Sequence, residues 1–240
     1  MTLSTNTLFH FTDNIDVLFK ILEEGFWPKY SKETGWKGEG KPQFAIPMVS
    51  FCNIPLSQIG KHINYYGNYG IGVSMEWAVT EENIQPVLYV TRKVIPNIYD
   101  VVKDDLNESK KNKSRWLFFL TRIKPYKGWN WKRKGCEQII DDYLYYDERE
   151  WRYTPESLSE TQQCIDVRKG IDLDHYHQNM KEHSLKVPLS EIKYIILQSE
   201  CERIIALNKI DELFEKQCTL EQLTLLKSKI LTCEQIKNDF

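Results

Sequence analysis

Hydrophobic residues are spaced along the chain in a pattern that changes period several times, and each change predicts an element. Leu8-Phe9-His10-Phe11 reads as a short strand. In the segment that follows, Ile15, Leu18, Ile21 and Leu22 fall on one face at helical spacing. Asp13 is placed to cap the start of that helix, and Gly25 supplies a left-handed stop. A polar stretch rich in Gly and Lys, about 29 to 43, predicts a loop. Strands are expected from Ala45 to Cys52, around Gly70 to Trp77, and from Pro86 to Arg92.

Residues 97 to 122 read as helix with a polar middle, and Tyr143 to Thr154 and Lys193 to Gln198 as late strands. The last 40 residues read as helical, with an apolar stripe of Ile204, Leu207, Ile210 and Phe214. Thr219-x-x-Gln222 and Thr232-x-x-Gln235 have the form of capping boxes. Strands and helices mix without regular βαβ alternation, so the expected class is α+β, with antiparallel or mixed sheets and flanking helices. The expected organisation is an α+β domain over 1–199 with a helical segment, 200–240, packed on it.

Composition narrows the class. Of 240 residues, 41% are hydrophobic and 28% charged, the balance of a globular chain rather than a disordered one. The longest obvious apolar run, Trp116 to Leu120, is far short of the roughly 18 residues a membrane-spanning helix needs. The N-terminus lacks the basic start and apolar middle of a signal peptide. Six cysteines are scattered with no CxxC pair, which favours reduced thiols in a cytoplasmic protein over a zinc site.

Charge changes the picture more. The total of −2 conceals a stretch, 109 to 134, with ten Lys/Arg, no Asp/Glu and six aromatic rings, so the rest of the chain carries −12. Lys124, Lys127, Trp129, Trp131, Lys132, Arg133 and Lys134 are the residues here expected to meet a nucleic acid or an acidic protein partner. Trp116, Phe119 and Leu120 sit at helical spacing and suit a core equally well.

Three further places invite chemistry. His10 points opposite to Phe9 and Phe11 on its strand, as a site residue or as a core histidine. The segment His62-Ile63-Asn64-Tyr65-Tyr66-Gly67-Asn68-Tyr69-Gly70-Ile71-Gly72 interleaves glycines with tyrosines. Such a backbone can approach a flat ligand closely, or simply turn in a hairpin. On a strand through Asp147-Glu148-Arg149-Glu150-Trp151-Arg152-Tyr153, Glu148 and Glu150 share a face. Burial of the pair would keep one carboxylate ionised and raise the other, whereas a solvated pair would form salt bridges with Arg149 and Arg152. His175-Tyr176-His177 lacks an evident third ligand, and no metal is expected.

Taken together, LFHFTDNIDVLFKILEEGFWPKY, AIPMVSFCNIPLSQIGKHINYYGNYGIGVSMEWA, DEREWRY and ILTCEQIKNDF resemble the AbiGi family over nearly the whole chain. That family is described as the antitoxin of an abortive-infection phage-resistance system whose partner is a nucleotidyltransferase-like toxin. More distantly, the order of motifs resembles ADP-ribosyltransferases, which implies a scaffold of that type with NAD as co-substrate. The resemblance puts His10, Phe11, Thr12, Ser50 and one of Tyr65, Tyr66 and Tyr69 around NAD. It makes Glu150 or Glu148 the catalytic carboxylate, with His10 beside it. Val49-Ser50-Phe51 stands only partly for the Ser-Thr-Ser strand of those enzymes. Three functions follow as expectations: transfer of ADP-ribose to a protein or nucleic acid, a non-catalytic antitoxin, and an RNA-binding module.

Overall fold

A computed structural model describes residues 4–34, 42–80, 82, 84–91, 93–94, 119, 121–130, 140–167 and 170–239, the side chains of 34, 42–43, 128–130, 140–142 and 160–161 excepted. In chain order the elements are β1 (Thr7–Thr12), α1 (Ile15–Glu24), β2 (Lys29–Thr34), β3 (Pro42–Cys52), α2 (Gly60–Tyr66), β4 (Tyr69–Ser74) and α3 (Met75–Thr80). Then come β5 (Gln85–Pro86), β6 (Leu88–Val90), β7 (Ile123–Pro125), β8 (Lys127–Asn130), β9 (Ile140–Leu144) and β10 (Glu150–Tyr153). The last third holds α4 (Glu160–Gln163), β11 (Ile165–Asp166), α5 (Asp174–Gln178), β12 (Ile192–Leu197), α6 (Arg203–Phe214), α7 (Leu220–Lys227), β13 (Ile230–Thr232) and α8 (Cys233–Asp239). The protein is thus mixed in helix and strand, and its pairing is mixed too: β12 runs parallel to β13 and antiparallel to β4.

The chain divides into two compact units. The first joins both ends of the sequence: Met1–Phe26, Phe51–Asn83 and Leu185–Phe240. Its strands lie in the order β13-β12-β4-β1, and Phe9 of β1 also pairs with Cys52. Phe9, Phe11, Ile54, Ile59, Ile63, Ile196 and Ile236 form an apolar core in this unit. All six residues of β4 are buried, and its glycines explain how two rings fit against it. A Cβ on Gly72 would lie 2.8 Å from Phe9 Cε1, and one on Gly70 would lie 2.8 Å from Phe11 Cε1. The glycines after Tyr69 therefore seat core phenylalanines, where the sequence also allowed a flat ligand.

Local chemistry sets the ends of the helices. The cap of α1 is Asn14, whose Oδ1 accepts the Asp16 N–H at 2.7 Å, one position later than the Asp13 expected. Gly25 closes the helix with φ 82° and donates its N–H to the Ile21 carbonyl. Thr219 and Gln222 form the expected reciprocal box, and so do Thr232 and Gln235. On α6 the buried stripe is Ala206, Ile210 and Phe214. Ile204 is instead 65% exposed, because the buried stripe begins at Ala206, two positions on and on another face of the helix. The C-terminal region is not wholly helical either, since β13 intervenes and pairs with β12.

The second unit comprises Trp27–Ser50 and Ile84–Ser184. Here β2 pairs antiparallel with β3 in the stretch expected to be a loop. Its residues are polar and only Tyr30 among Lys29–Glu33 is buried, so hydrogen bonding to β3 outweighs composition. β11 also pairs with β3, β10 lies between β3 and β5, β6 pairs parallel with β7, and β8 pairs antiparallel with β9. A core of Tyr30, Ala45, Leu158, Ile165, Leu173 and Met180 lies in this unit. The strand expected around Gly70 to Trp77 stops at Ser74 and continues as α3. Most of the helix expected over 97–122 lies outside the described residues.

Because Phe9 is a rigid ring in a filled core, Gly72→Ala is expected to destabilise the protein by roughly 1–3 kcal/mol. A thermal denaturation midpoint equal to wild type would contradict this account of β4.

Candidate functional site

The second unit buries an unusual number of charges around one strand. On β10 alternation turns Glu150 and Arg152 inward and leaves Trp151 and Tyr153 half-buried. Arg152 is completely shielded from solvent. Parallel pairing of β6 with β7 sets Lys124 opposite Tyr89. The strand expected across Tyr143–Thr154 breaks after β9 into a 3-10 turn over Tyr145–Glu148. Arg149 then takes left-handed backbone angles, φ 44° and ψ 49°, before β10 resumes. Glu148 and Glu150 therefore do not lie on one face of a single strand, since Glu148 ends the turn and Glu150 begins β10. The turn folds Glu148 back so that both carboxylates reach the same ammonium.

That ammonium is Lys124. Its Nζ donates to Glu148 Oε2 at 2.5 Å and to Glu150 Oε2 at 2.6 Å, and it stands 4.8 Å from the centre of the Tyr145 ring. Glu150 Oε1 accepts from Ser50 Oγ at 2.9 Å and from Arg152 Nε at 2.7 Å. Its Oε2 accepts a second bond from Arg152 Nη2 at 3.2 Å. Arg152 Nη2 also donates to Glu33 Oε1 at 3.0 Å, and its Nη1 to the Thr121 carbonyl at 2.6 Å. The Glu150 backbone N–H donates to Tyr89 Oη at 2.8 Å.

Electrostatics follow from this wiring. Burial alone would raise the pKa of Glu150, but the charges of Arg152 and Lys124 and their hydrogen bonds hold it well below the usual carboxylate range. Arg152 is raised: burial opposes its charge, and Glu150 and Glu33 overcome that opposition. Glu33 is raised by burial, against the pull of Arg152 and Lys124. Burial also pushes the Tyr89 phenol up. A carboxylate offers about four acceptor positions, and the four bonds to Glu150 use that many. As arranged, Glu150 has no oxygen to spare for a ribose hydroxyl or a proton in transit. The cluster ties β2, β3, β7, the Tyr145–Glu148 turn and β10 together.

The other expected site residues divide between the units. Ser50, Glu148 and Glu150 meet in the second, as just described. His10, Phe11, Thr12, Tyr65, Tyr66 and Tyr69 belong to the first. His10 is half-buried, with edge-on contacts to Phe26 at 5.1 Å and Phe51 at 5.9 Å. Phe11 is core, and Thr12 pairs with Tyr69. Tyr66 stacks on His62 at 4.1 Å. Tyr69 is buried and donates its hydroxyl to Glu202 Oε1 at 2.6 Å. Burial, then that hydrogen bond, push its pKa up to about 12. Phe11 and Tyr69, two of the residues expected around NAD, are buried in the first unit.

The basic stretch is also redrawn. Lys124, expected at a partner surface, is turned inward as the centre of the ion cluster, and Arg122 is buried as well. Lys127 is exposed. Trp129 contributes backbone to β8, while its side chain and the residues Trp131, Lys132, Arg133 and Lys134 lie outside those described. The two histidines of His175-Tyr176-His177 sit on α5, and His177 Nδ1 accepts the Tyr30 N–H at 3.1 Å. Among the described residues no cluster of three His, Cys, Asp or Glu is arranged for a metal. No helix of those residues is long and apolar enough to cross a membrane. Sequence reasoning missed Glu33 and Tyr89 as members of the cluster; Arg152 was expected as a salt-bridge partner of the carboxylate pair, but on a solvated face rather than a buried one.

Removing one partner of a buried ion pair strands the other, so Glu150→Gln is expected to cost about 3–5 kcal/mol of stability. A depressed carboxyl pKa stabilises the fold above the unfolded value, near 4.3, and this stabilisation is lost as pH falls towards the folded pKa. Wild type should therefore lose its advantage over Glu150→Gln as pH is lowered below about 4. Denaturant titrations at pH 7 and pH 3 measure this, and an equal gap at both would refute it.

Comparison with known proteins agrees with the first resemblance. Residues 27–198 match the family model described as "Putative abortive phage resistance protein AbiGi, antitoxin". The "Abortive phage resistance protein AbiGi" of Lactococcus lactis subsp. cremoris is 28% identical, over 82% of this chain and 90% of that protein. No solved structure matches the chain. With nearly three-quarters of its length inside the family model, the chain belongs to the AbiGi family of abortive phage resistance proteins.

Proposed function

We propose that the chain is the antitoxin of an abortive-infection pair and neutralises a toxin by binding it, without catalysis of its own. One observation carries the non-catalytic part: the carboxylate best placed in sequence for chemistry, Glu150, has all its acceptor positions engaged by Ser50, Lys124 and Arg152. The family's description as an antitoxin supports the binding part. The partner implied by the family resemblance is a nucleotidyltransferase-like toxin, and cytoplasm is the compartment in which the pair would meet.

A second reading, transfer of ADP-ribose from NAD, draws support from one contact. Ser50 Oγ and Glu150 Oε1, both assigned to that activity from sequence, are hydrogen-bonded at 2.9 Å. In that reading NAD would supply the ADP-ribosyl group, and Glu150 would have to release Lys124 or Arg152 before it could reach a ribose.

Two measurements separate these readings. Co-expression with the protein encoded by the neighbouring gene is expected to restore growth that this neighbour alone arrests. Incubation of the purified chain with labelled NAD and cell extract is expected to leave no more label on protein or nucleic acid than a heat-inactivated control. Label above that control, together with growth arrest by the chain alone, would establish the transferase and overturn the antitoxin.

A further inference from the structure

Among the described residues β13 is paired on one side only, by β12, so it forms an edge of the sheet in the first unit. An edge strand presents its N–H and C=O groups to any other strand that comes beside it, and natural sequences commonly blunt such an edge with proline or charge. β13, Ile230-Leu231-Thr232, has neither. Its β-branched residues favour pairing instead. The nearest charge, Lys229, directs its ammonium to the Leu189 carbonyl at 3.2 Å.

The ladder shows which groups face outward. Ile195 of β12 donates its N–H to the Lys229 carbonyl at 3.0 Å. Backbone groups alternate in direction along a strand, so those of Lys229 and Leu231 turn towards β12, and those of Ile230 and Thr232 turn away. Side chains bond two of the outward groups. Arg203 Nη1 donates to the Ile230 carbonyl at 3.1 Å, and Gln235 Oε1 accepts the Thr232 N–H at 3.1 Å. Arg203 Nη2 donates to the same Gln235 oxygen at 3.2 Å, which joins the two caps. Glu200 holds the guanidinium in place: its Oε2 accepts from Nε and its Oε1 from Nη2, each at 2.8 Å. Glu200 Oε1 also accepts the Thr232 hydroxyl at 3.0 Å. Burial agrees with a cover over the edge. Ile230 is 4% exposed and Thr232 wholly buried, whereas the Glu200 side chain above them is 50% exposed. Only a guanidinium has donors enough, in a fixed fork, to reach all of these acceptors at once.

We infer that Arg203, fixed by Glu200 and Gln235, guards the edge of β13 against a second copy of this chain, whose own β13 would otherwise add to the sheet. The occupant follows from symmetry. Two identical edges brought together antiparallel offer the same groups to each other and close a two-fold dimer. The guard stands independently of the antitoxin reading, since it concerns the chain's contact with itself. The test uses the full chain, with molar mass measured by light scattering across a dilution series. Arg203→Ala/Gln235→Ala removes the cover. The same pair with Leu231→Lys restores a block by placing a charge on the half-buried middle residue of the strand. Circular dichroism establishes that each variant is folded.

The expected result is a mass that climbs with concentration towards that of two chains for Arg203→Ala/Gln235→Ala, and stays at one chain for wild type and for the variant with Leu231→Lys. A folded Arg203→Ala/Gln235→Ala that remains a single chain throughout would overturn the guard. So would a wild type that associates as readily as the variant, or association that Leu231→Lys leaves unchanged. Hydrogen exchange in the wild-type chain decides the matter even where the variants do not fold. The Thr232 amide, bonded to Gln235, is expected to exchange as slowly as the inner amides of β12, and exchange at the rate of an open edge would overturn the cover.

Discussion

The ammonium of Lys124, held between Glu148 and Glu150 with the Arg152 guanidinium behind, is the constraint on which the second unit depends. Its members come from β2, β3, β7, β10 and the Tyr145–Glu148 turn, segments up to 119 residues apart in sequence. Apolar side chains of similar volume would hold such segments at less desolvation cost, and in any of several registers. Charges that must each find a specific partner tolerate one register only. Full ionisation of the five groups leaves one negative charge in excess, since three carboxylates face two cations. Glu33 is raised chiefly by burial, and the neighbouring Glu150 and Glu148 add to that against the pull of Arg152 and Lys124.

The same arrangement gives a carboxylate pair that invites chemistry in sequence an evident structural task in space. A carboxylate pair close along the chain is the usual material of acid–base chemistry, and burial is the usual means of tuning it. Here the tuning runs towards permanent ionisation, because each oxygen of Glu150 faces a cation and carries two hydrogen bonds. Fold and motif order do not carry activity by themselves. What the Tyr145–Glu148 turn and the αL residue Arg149 achieve is convergence on one ammonium of two side chains that a regular strand would hold on one face but about 6.6 Å apart. The same turn lifts Tyr146 out towards solvent.

Much of the fold was legible because it depends on short-range rules. The helix of residues 15–24, the strand through His10 and both C-terminal capping boxes follow from side chains within a few positions of one another. β2 was not legible, since Lys29–Thr34 is a strand only by virtue of β3 beside it. Nor was β13, whose three residues are ordered by parallel pairing with β12. The glycines of β4 looked like a ligand's approach path because nothing in sequence reveals that Phe9 and Phe11 occupy the space over them. Within the candidate site, Glu148 and Glu150 were visible as a pair. Lys124 was visible only as one basic residue among ten, because its partners lie more than twenty positions downstream.

The first unit is assembled from both ends of the chain, and this has a consequence for synthesis. β1 and β4 leave the ribosome early, yet β4 gains its second neighbour only when β12 emerges near residue 197, and β12 waits in turn for β13 at 230–232. All of the second unit, by contrast, has been made by Ser184. At about 5–20 residues per second, the half-made sheet stands open for several seconds on each new molecule. For the last part of that interval, after Ser184, the inserted unit can already be folded. A nascent chain still attached to its ribosome thus holds a complete second unit before its own N-terminal strands have found their last neighbours.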